Sequence, residues 1–166
     1  ESLKALVDLF GYQSECYAKA EDFLDAQAQG RPVYPGPVCV VSDVRMAGID
    51  GLELLRQMQS RVTLPLILMS GHSGIGEAID AFRLGVVDFL VKPFEANAFL
   101  AAVTRGLALS AQRQATQALQ GDVQARWGTL TAREQTVAIE VARGRMNREI
   151  AEDLAISERM VKLHRQ

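Results

Sequence analysis

An α/β domain with a doubly wound parallel sheet, followed by a small all-α unit, is the fold this sequence predicts. Three observations carry that expectation. Short continuous apolar runs at residues 38–41, 64–69 and 86–91 read as strands buried on both faces, the pattern of a parallel sheet. Segments with apolar residues at helical spacing lie between them, and such alternation winds helices over both faces of a sheet. Beyond residue 127 the character changes, and three helix-start signals follow in close succession.

The elements are justified in chain order. Leu3, Leu6, Val7 and Phe10 sit at i, i+3, i+4 and i+7, and Gly11 stops that helix. Residues 12–17 alternate polar Gln13 and Glu15 with less polar neighbours, as an edge strand does. Residues 19–27 read as a short helix, and residues 30–37 as a Gly/Pro-rich loop. After the first apolar run, Leu52, Leu55 and Met58 mark a helix. After the second, Ile75, Ile79 and Phe82 form a helix stripe that ends at Gly85. After the third, Leu100, Val103 and Leu107 mark another helix. Residues 110–126 are polar and rich in Ala and Gln, and read as a helical linker. Thr131 and Glu134 make a capping box for a helix that runs to Gly144. Asn147 can cap a second short helix and Ser157 a third. Three short capped helices with tight turns suit a helix-turn-helix, and equally a small protein-binding bundle.

Composition narrows the function classes. The 166 residues are 48% apolar and 23% charged, which excludes a disordered, collagenous or coiled-coil chain. Lys plus Arg is 18 and Asp plus Glu is 20, so no overall basic excess points to nucleic acid. Residues 1–120 hold 10 basic and 13 acidic groups, whereas residues 121–166 hold 8 and 7. The bland reading of the basic groups near the end is a solvated helix face. Cys16 and Cys39 are too few and too far apart for a disulfide scaffold or zinc site. No apolar run approaches the ~20 residues of a membrane span, and no signal peptide is present, so a reduced, cytoplasmic protein is expected.

Open parallel sheets bind ligands at the carboxyl ends of their strands. Ser42 and Asp43 follow the first apolar run, Ser70 and Gly71 the second, and Lys92 and Pro93 the third, with Phe89 inside it. One sheet edge therefore gathers a carboxylate, a hydroxyl and an ammonium. An aspartate can act as a nucleophile and form an acyl phosphate. A lysine offsets the negative charge of that product, and a hydroxyl donates to a phosphoryl oxygen. Singly, Asp43 reads as a loop carboxylate, Lys92 as a surface ammonium and Ser70 as a turn former. A haloacid-dehalogenase arrangement needs a second aspartate two residues on, and Arg45 stands there.

Ser42-Asp43-Val44-Arg45-Met46 through Gly51, Leu68-Met69-Ser70-Gly71-His72, and Asp88-Phe89-Leu90-Val91-Lys92-Pro93-Phe94 resemble the receiver domain of two-component response regulators. Leu130 to Glu134, Asn147 to Ala151 and Ile156 to Arg165 resemble the LuxR-type DNA-binding domain. Together they resemble the FixJ-type branch, over nearly the whole chain. The resemblance implies a flavodoxin-like receiver lacking its first strand (1–107), a helical linker (108–127) and a helix-turn-helix domain (128–166). Asp43 is the implied phosphoacceptor, with Ser70 and Lys92 as its catalytic partners. Ser70 and Phe89 are the implied switch pair, and the Lys92–Pro93 bond is implied to be cis. Asp43 and the backbone carbonyl of Arg45 are the implied metal ligands. Arg159, Lys162, His164, Arg165 and Gln166 are the implied DNA contacts, His164 being equally a packed imidazole. Trp127 and Met146 read as packing residues, Cys39 as a small buried hydrophobe and His72 as an exposed loop residue.

Four departures qualify the resemblance. Residue 1 falls inside the first helix, so the first strand and its acidic pair are missing, and Mg²⁺ belongs to a complete receiver but is weak or absent in this chain. Ala47 stands in place of a usual proline, and Met160 in place of a usual threonine. The chain stops before the recognition helix is complete. The function implied is a transcription factor, not an enzyme. A sensor histidine kinase phosphorylates Asp43, the receiver forms a homodimer when phosphorylated, and the tail binds double-stranded DNA, with no membrane involved. The alternative is a phosphorylation-independent DNA-binding or dimerisation module with a degenerate receiver.

Overall fold

The computed structural model describes residues 2–31, 34–61, 64–71 and 75–164. The chain forms two compact units, Glu1–Ala115 and Thr116–Gln166. The first holds α1 (Ser2–Leu9), α2 (Ala20–Ala28), β1 (Val40–Asp43), α3 (Gly51–Arg61), β2 (Leu66–Ser70), α4 (Ile75–Arg83) and β3 (Asp88–Val91). A long helix, α5 (Ala96–Thr129), follows, and then α6 (Ala132–Ala142), α7 (Asn147–Asp153) and α8 (Glu158–Leu163). No helix among the described residues is long and apolar enough to cross a membrane.

The three strands are parallel, in the order β1-β2-β3. Alternation along β2 splits the core between the two faces. Leu66 and Leu68 join Phe23 and Leu24 of α2, Leu54, Leu55 and Met58 of α3, and Ala81 of α4. Ile67 and Met69 join Phe99, Ala102 and Val103 of α5, with Leu3, Leu6 and Val7 of α1 packed against them. The sheet is thus covered on both faces. Every residue of β2 is buried. β1 and β3 are only half-buried, contrary to the sequence expectation, because each lies at an edge of the three-stranded sheet.

Residues 12–17 also depart from expectation. They carry no strand, because no ladder of backbone hydrogen bonds reaches them among the described residues. Gly11 stops α1 with φ +78° as expected. The stripe of Ile75, Ile79 and Phe82 on α4 faces outward, and Ala81 is the buried residue of that helix. α5 stays in the first core as far as Ser110, a buried hydroxyl that accepts the Val38 N–H at 3.0 Å.

In the second unit Val137, Ile150, Ala151 and Val161 form the core. Thr131 Oγ1 accepts the Glu134 N–H, and Glu134 Oε2 accepts the Thr131 N–H at 2.8 Å, completing the expected capping box. Ser157 Oγ caps α8 through the Met160 N–H. The cap of α7 differs: Met146 takes the cap position, and Glu149 returns to its N–H at 2.8 Å. Asn147 is the first helical residue. Ala155 takes φ 51° in the turn between α7 and α8, a left-handed conformation that side chains rarely adopt. Trp127 and Met146 are exposed, at 39% and 68%, so they are not the packing residues the sequence suggests.

Candidate functional site at the carboxyl edge of the sheet

The parallel register brings three strand ends together. Asp43 ends β1 opposite Met69, and Ser70 ends β2 opposite Val91. The next amides continue the ladders: the Val44 N–H donates to the Met69 carbonyl, and the Lys92 N–H to the Ser70 carbonyl, both at 2.7 Å. Lys92 is therefore held by backbone directly beside Ser70. Its side chain reaches across to Asp43, with Nζ 2.5 Å from Oδ1. Both side chains remain about two-fifths exposed, open to an incoming group. The Lys92–Pro93 bond is cis. Ser70 is buried at the end of the central strand. Phe89 is half-buried opposite Leu68, packed against the core that holds α2, α3 and α4.

The loop after Asp43 is closed tightly. The Gly51 N–H donates to the Val44 carbonyl at 2.8 Å, and a Cβ at Gly51 would lie 2.5 Å from the Asp43 carbonyl oxygen. Only glycine lets α3 start so close to the acceptor strand. Asp50 Oδ1 then accepts the Glu53 N–H at 2.7 Å and caps α3. Ser42, to which the sequence assigned no separate role, turns its hydroxyl to the Asp43 carbonyl at 3.1 Å and Met46 Sδ at 3.4 Å. Arg45 does more than offer a carbonyl. Its guanidinium pairs with Glu77 in the first turn of α4, Nη2 to Oε1 3.2 Å. No sequence spacing signals a pair 32 residues apart.

Among the described residues no three His, Cys, Asp or Glu side chains come together as a metal-holding group. Asp43 and the Arg45 carbonyl, the expected donors, belong to no such group among the described residues, and Asp43 has the Lys92 ammonium as its counter-charge. These residues by themselves do not fit a Mg²⁺ site.

The second candidate surface lies on α8. Val161 is fully buried, so the helix is anchored by that face. Arg159 and Lys162 are exposed around it. His164 departs from that set. It is half-buried, with Nδ1 3.9 Å from Glu134 Oε1 of α6. The Glu134 carboxyl is held below the usual range by the Thr131 hydroxyl, then by the Thr131 N–H and the nearby His164. Arg165, Gln166 and His72 lie outside the described residues.

Cys16 and Cys39 are free thiols. Burial pushes the Cys39 thiol up to about 11.

Comparison with known proteins agrees with this division of features. Residues 1–104 match the family of response regulator receiver domains, and residues 128–166 match the bacterial regulatory proteins of the luxR family. The transcriptional regulatory protein FixJ of Azorhizobium caulinodans is 39% identical over 166 residues, covering 99% of this chain and 76% of that protein. The response regulator protein TodT of Pseudomonas putida is 35% identical, covering 99% and 71%. Among solved structures, the response regulator StyR superposes with a TM-score of 0.81 at 34% identity, over 99% of this chain and 81% of that one. Full-length FixJ from B. japonicum gives 0.60 at 35% identity, over 99% and 79%.

Proposed function

Since this chain belongs to the response regulators, a receiver domain with a LuxR-type DNA-binding domain as in FixJ, we propose that phosphoryl transfer to Asp43 controls its binding to DNA. The observation that carries the reading is the Asp43–Lys92 pair at 2.5 Å on the carboxyl edge of the sheet. The donor is the phosphoimidazole of a sensor histidine kinase. A carboxylate oxygen of Asp43 attacks phosphorus, the P–N bond breaks with its electrons returning to the imidazole, and an acyl phosphate forms. Lys92 is already within reach of that carboxylate and offsets the charge the phosphoryl oxygens bring. Ser70, at the neighbouring strand end, donates its hydroxyl to a phosphoryl oxygen, and Phe89 follows by turning inward.

The readout is a population shift, so phosphate must bind one arrangement better than the other. Ile75, Ile79 and Phe82 on α4 and Val91 at the edge strand are exposed apolar groups, and they suit a homodimer surface that the phosphorylated form presents. Residues 1–107 act as the receiver, 108–127 as a linker and 128–166 as the DNA-binding part. Arg159 and Lys162 contact double-stranded DNA, with Arg165 and Gln166 beyond them. The setting is the cytoplasm, and the role is regulatory rather than enzymatic. The test is DNA affinity with and without acetyl phosphate, in the intact protein and in Asp43→Asn. Phosphodonor tightens binding of the first only. Equal affinity in all four measurements supports a phosphorylation-independent module instead.

A further inference from the structure

We infer that Glu21 is a positioning residue for the acceptor site, whose carboxylate, lodged against Gly48 and accepting the Ile49 N–H, fixes the loop between Asp43 and α3. The inference rests on the reading of Asp43 as phosphoacceptor. Glu21 lies in the first turn of α2, on a separate element from the acceptor strand. Its Oε1 accepts the Ile49 N–H at 3.0 Å across 28 residues of sequence. Its Oε2 is buried and has no hydrogen-bond partner among the described residues. Backbone N–H groups of Glu21 itself and of Ile49 hold this carboxyl below the usual glutamate range, yet a buried carboxylate oxygen without a partner is costly and persists only where the surroundings hold it.

The surroundings do so at Gly48. That residue has φ +82°, and a Cβ there would lie 2.3 Å from Glu21 Oε1. The glycine thus admits the carboxylate as well as the turn. On the far side the loop is closed by the Gly51 amide on Val44 and the approach of α3 to the Asp43 carbonyl. Arg45 and its carbonyl lie between these two fixed points. Freeing the Glu21 end lets the backbone from Val44 to Asp50 move, and with it the orientation of Asp43 toward Lys92. Ala47 stands inside this loop, so no proline ring fixes it there. The Glu21 contact supplies that restraint from outside.

The experiment follows phosphate uptake from acetyl phosphate by intact mass in the full chain. Glu21→Ala, Glu21→Gln, Gly48→Ala and the Glu21→Ala/Gly48→Ala pair are compared with the unaltered protein, with thermal melts alongside. Glu21→Ala slows uptake by about tenfold, within the ~10²-fold that an ångström of misplacement can bring. Glu21→Gln keeps an acceptor oxygen for the Ile49 N–H and recovers most of the rate, which a purely electrostatic role would not do, while melts unchanged from the unaltered protein set a folding role aside. Gly48→Ala slows uptake, and the double variant is less impaired than the product of the singles, because both act on one contact. Folded Glu21→Ala taking up phosphate at the original rate overturns the inference, as does equal impairment of the Ala and Gln variants. If the unaltered protein takes up no phosphate, the phosphoacceptor reading itself has failed, and this inference fails with it.

Discussion

Replacing Lys92 with Met separates chemistry from stability. The substitution keeps the aliphatic stem and removes only the ammonium. The bond it breaks is short, Nζ to Oδ1 2.5 Å, but both partners are about two-fifths exposed. Water re-solvates Asp43 once the cation is gone, so the pair is worth only ~0.2–1 kcal/mol. For a unit the size of residues 1–115 that is a fall of at most about 5 °C in Tm. The effect on reaction is of another order. The ammonium faces the oxygens where charge collects during transfer, and removing one such preorganised donor costs about 10²- to 10³-fold in rate. Parallel assays read the two quantities: a thermal melt, and a time course of phosphate uptake from acetyl phosphate. Uptake within about threefold of the unaltered rate would refute the assignment of Lys92, given the magnitude such donors carry. A melt lowered by 10 °C or more would instead make Lys92 a structural residue, far outside the range of an exposed pair.

Three further outcomes are expected. Lys162→Ala weakens DNA binding and lowers the slope of log affinity against log salt by about one, as for a lost phosphate contact; an unchanged slope moves the contact elsewhere. Under native conditions near neutral pH a thiol reagent labels Cys16 and spares Cys39, whose thiol is raised to about 11 by burial; mapping the adduct by mass spectrometry checks this. Glu134 is held below the usual glutamate range in the folded second unit, so it contributes stability above the unfolded value, and that contribution is lost as pH falls through the lowered folded value. Glu134→Gln, which keeps a capping box, therefore flattens the acid limb of a melting-temperature curve taken between pH 6 and 3; an identical limb in both proteins contradicts this.

Local signals were the legible ones. The run at residues 64–69 reads as a buried strand because β2 is central and fully covered. Thr131, Ser157 and Gly11 act where their side chains or backbone freedom require, since caps and stops depend on a few neighbouring residues. What covers an apolar face is a different matter. The stripe of Ile75, Ile79 and Phe82 has perfect helical spacing, yet Ala81 is what packs inside. Periodicity locates an apolar face without saying whether the core or a partner lies against it. Residues 12–17 alternate like a strand but lie beside no ladder among the described residues, and a strand exists only through its pairing. At the site, Asp43, Ser70 and Lys92 were readable because each follows an apolar run. Glu21 and Glu77 were not, because their contacts reach 28 and 32 residues through space.

The most direct measurement is to treat the full chain with acetyl phosphate and locate the modified residue by peptide mapping. One phosphoryl group on Asp43, stable in acid and labile in base as an acyl phosphate is, and missing from Asp43→Asn, is the result expected. A modification of equal extent in Asp43→Asn, or one carried on a hydroxyl and stable to base, contradicts it.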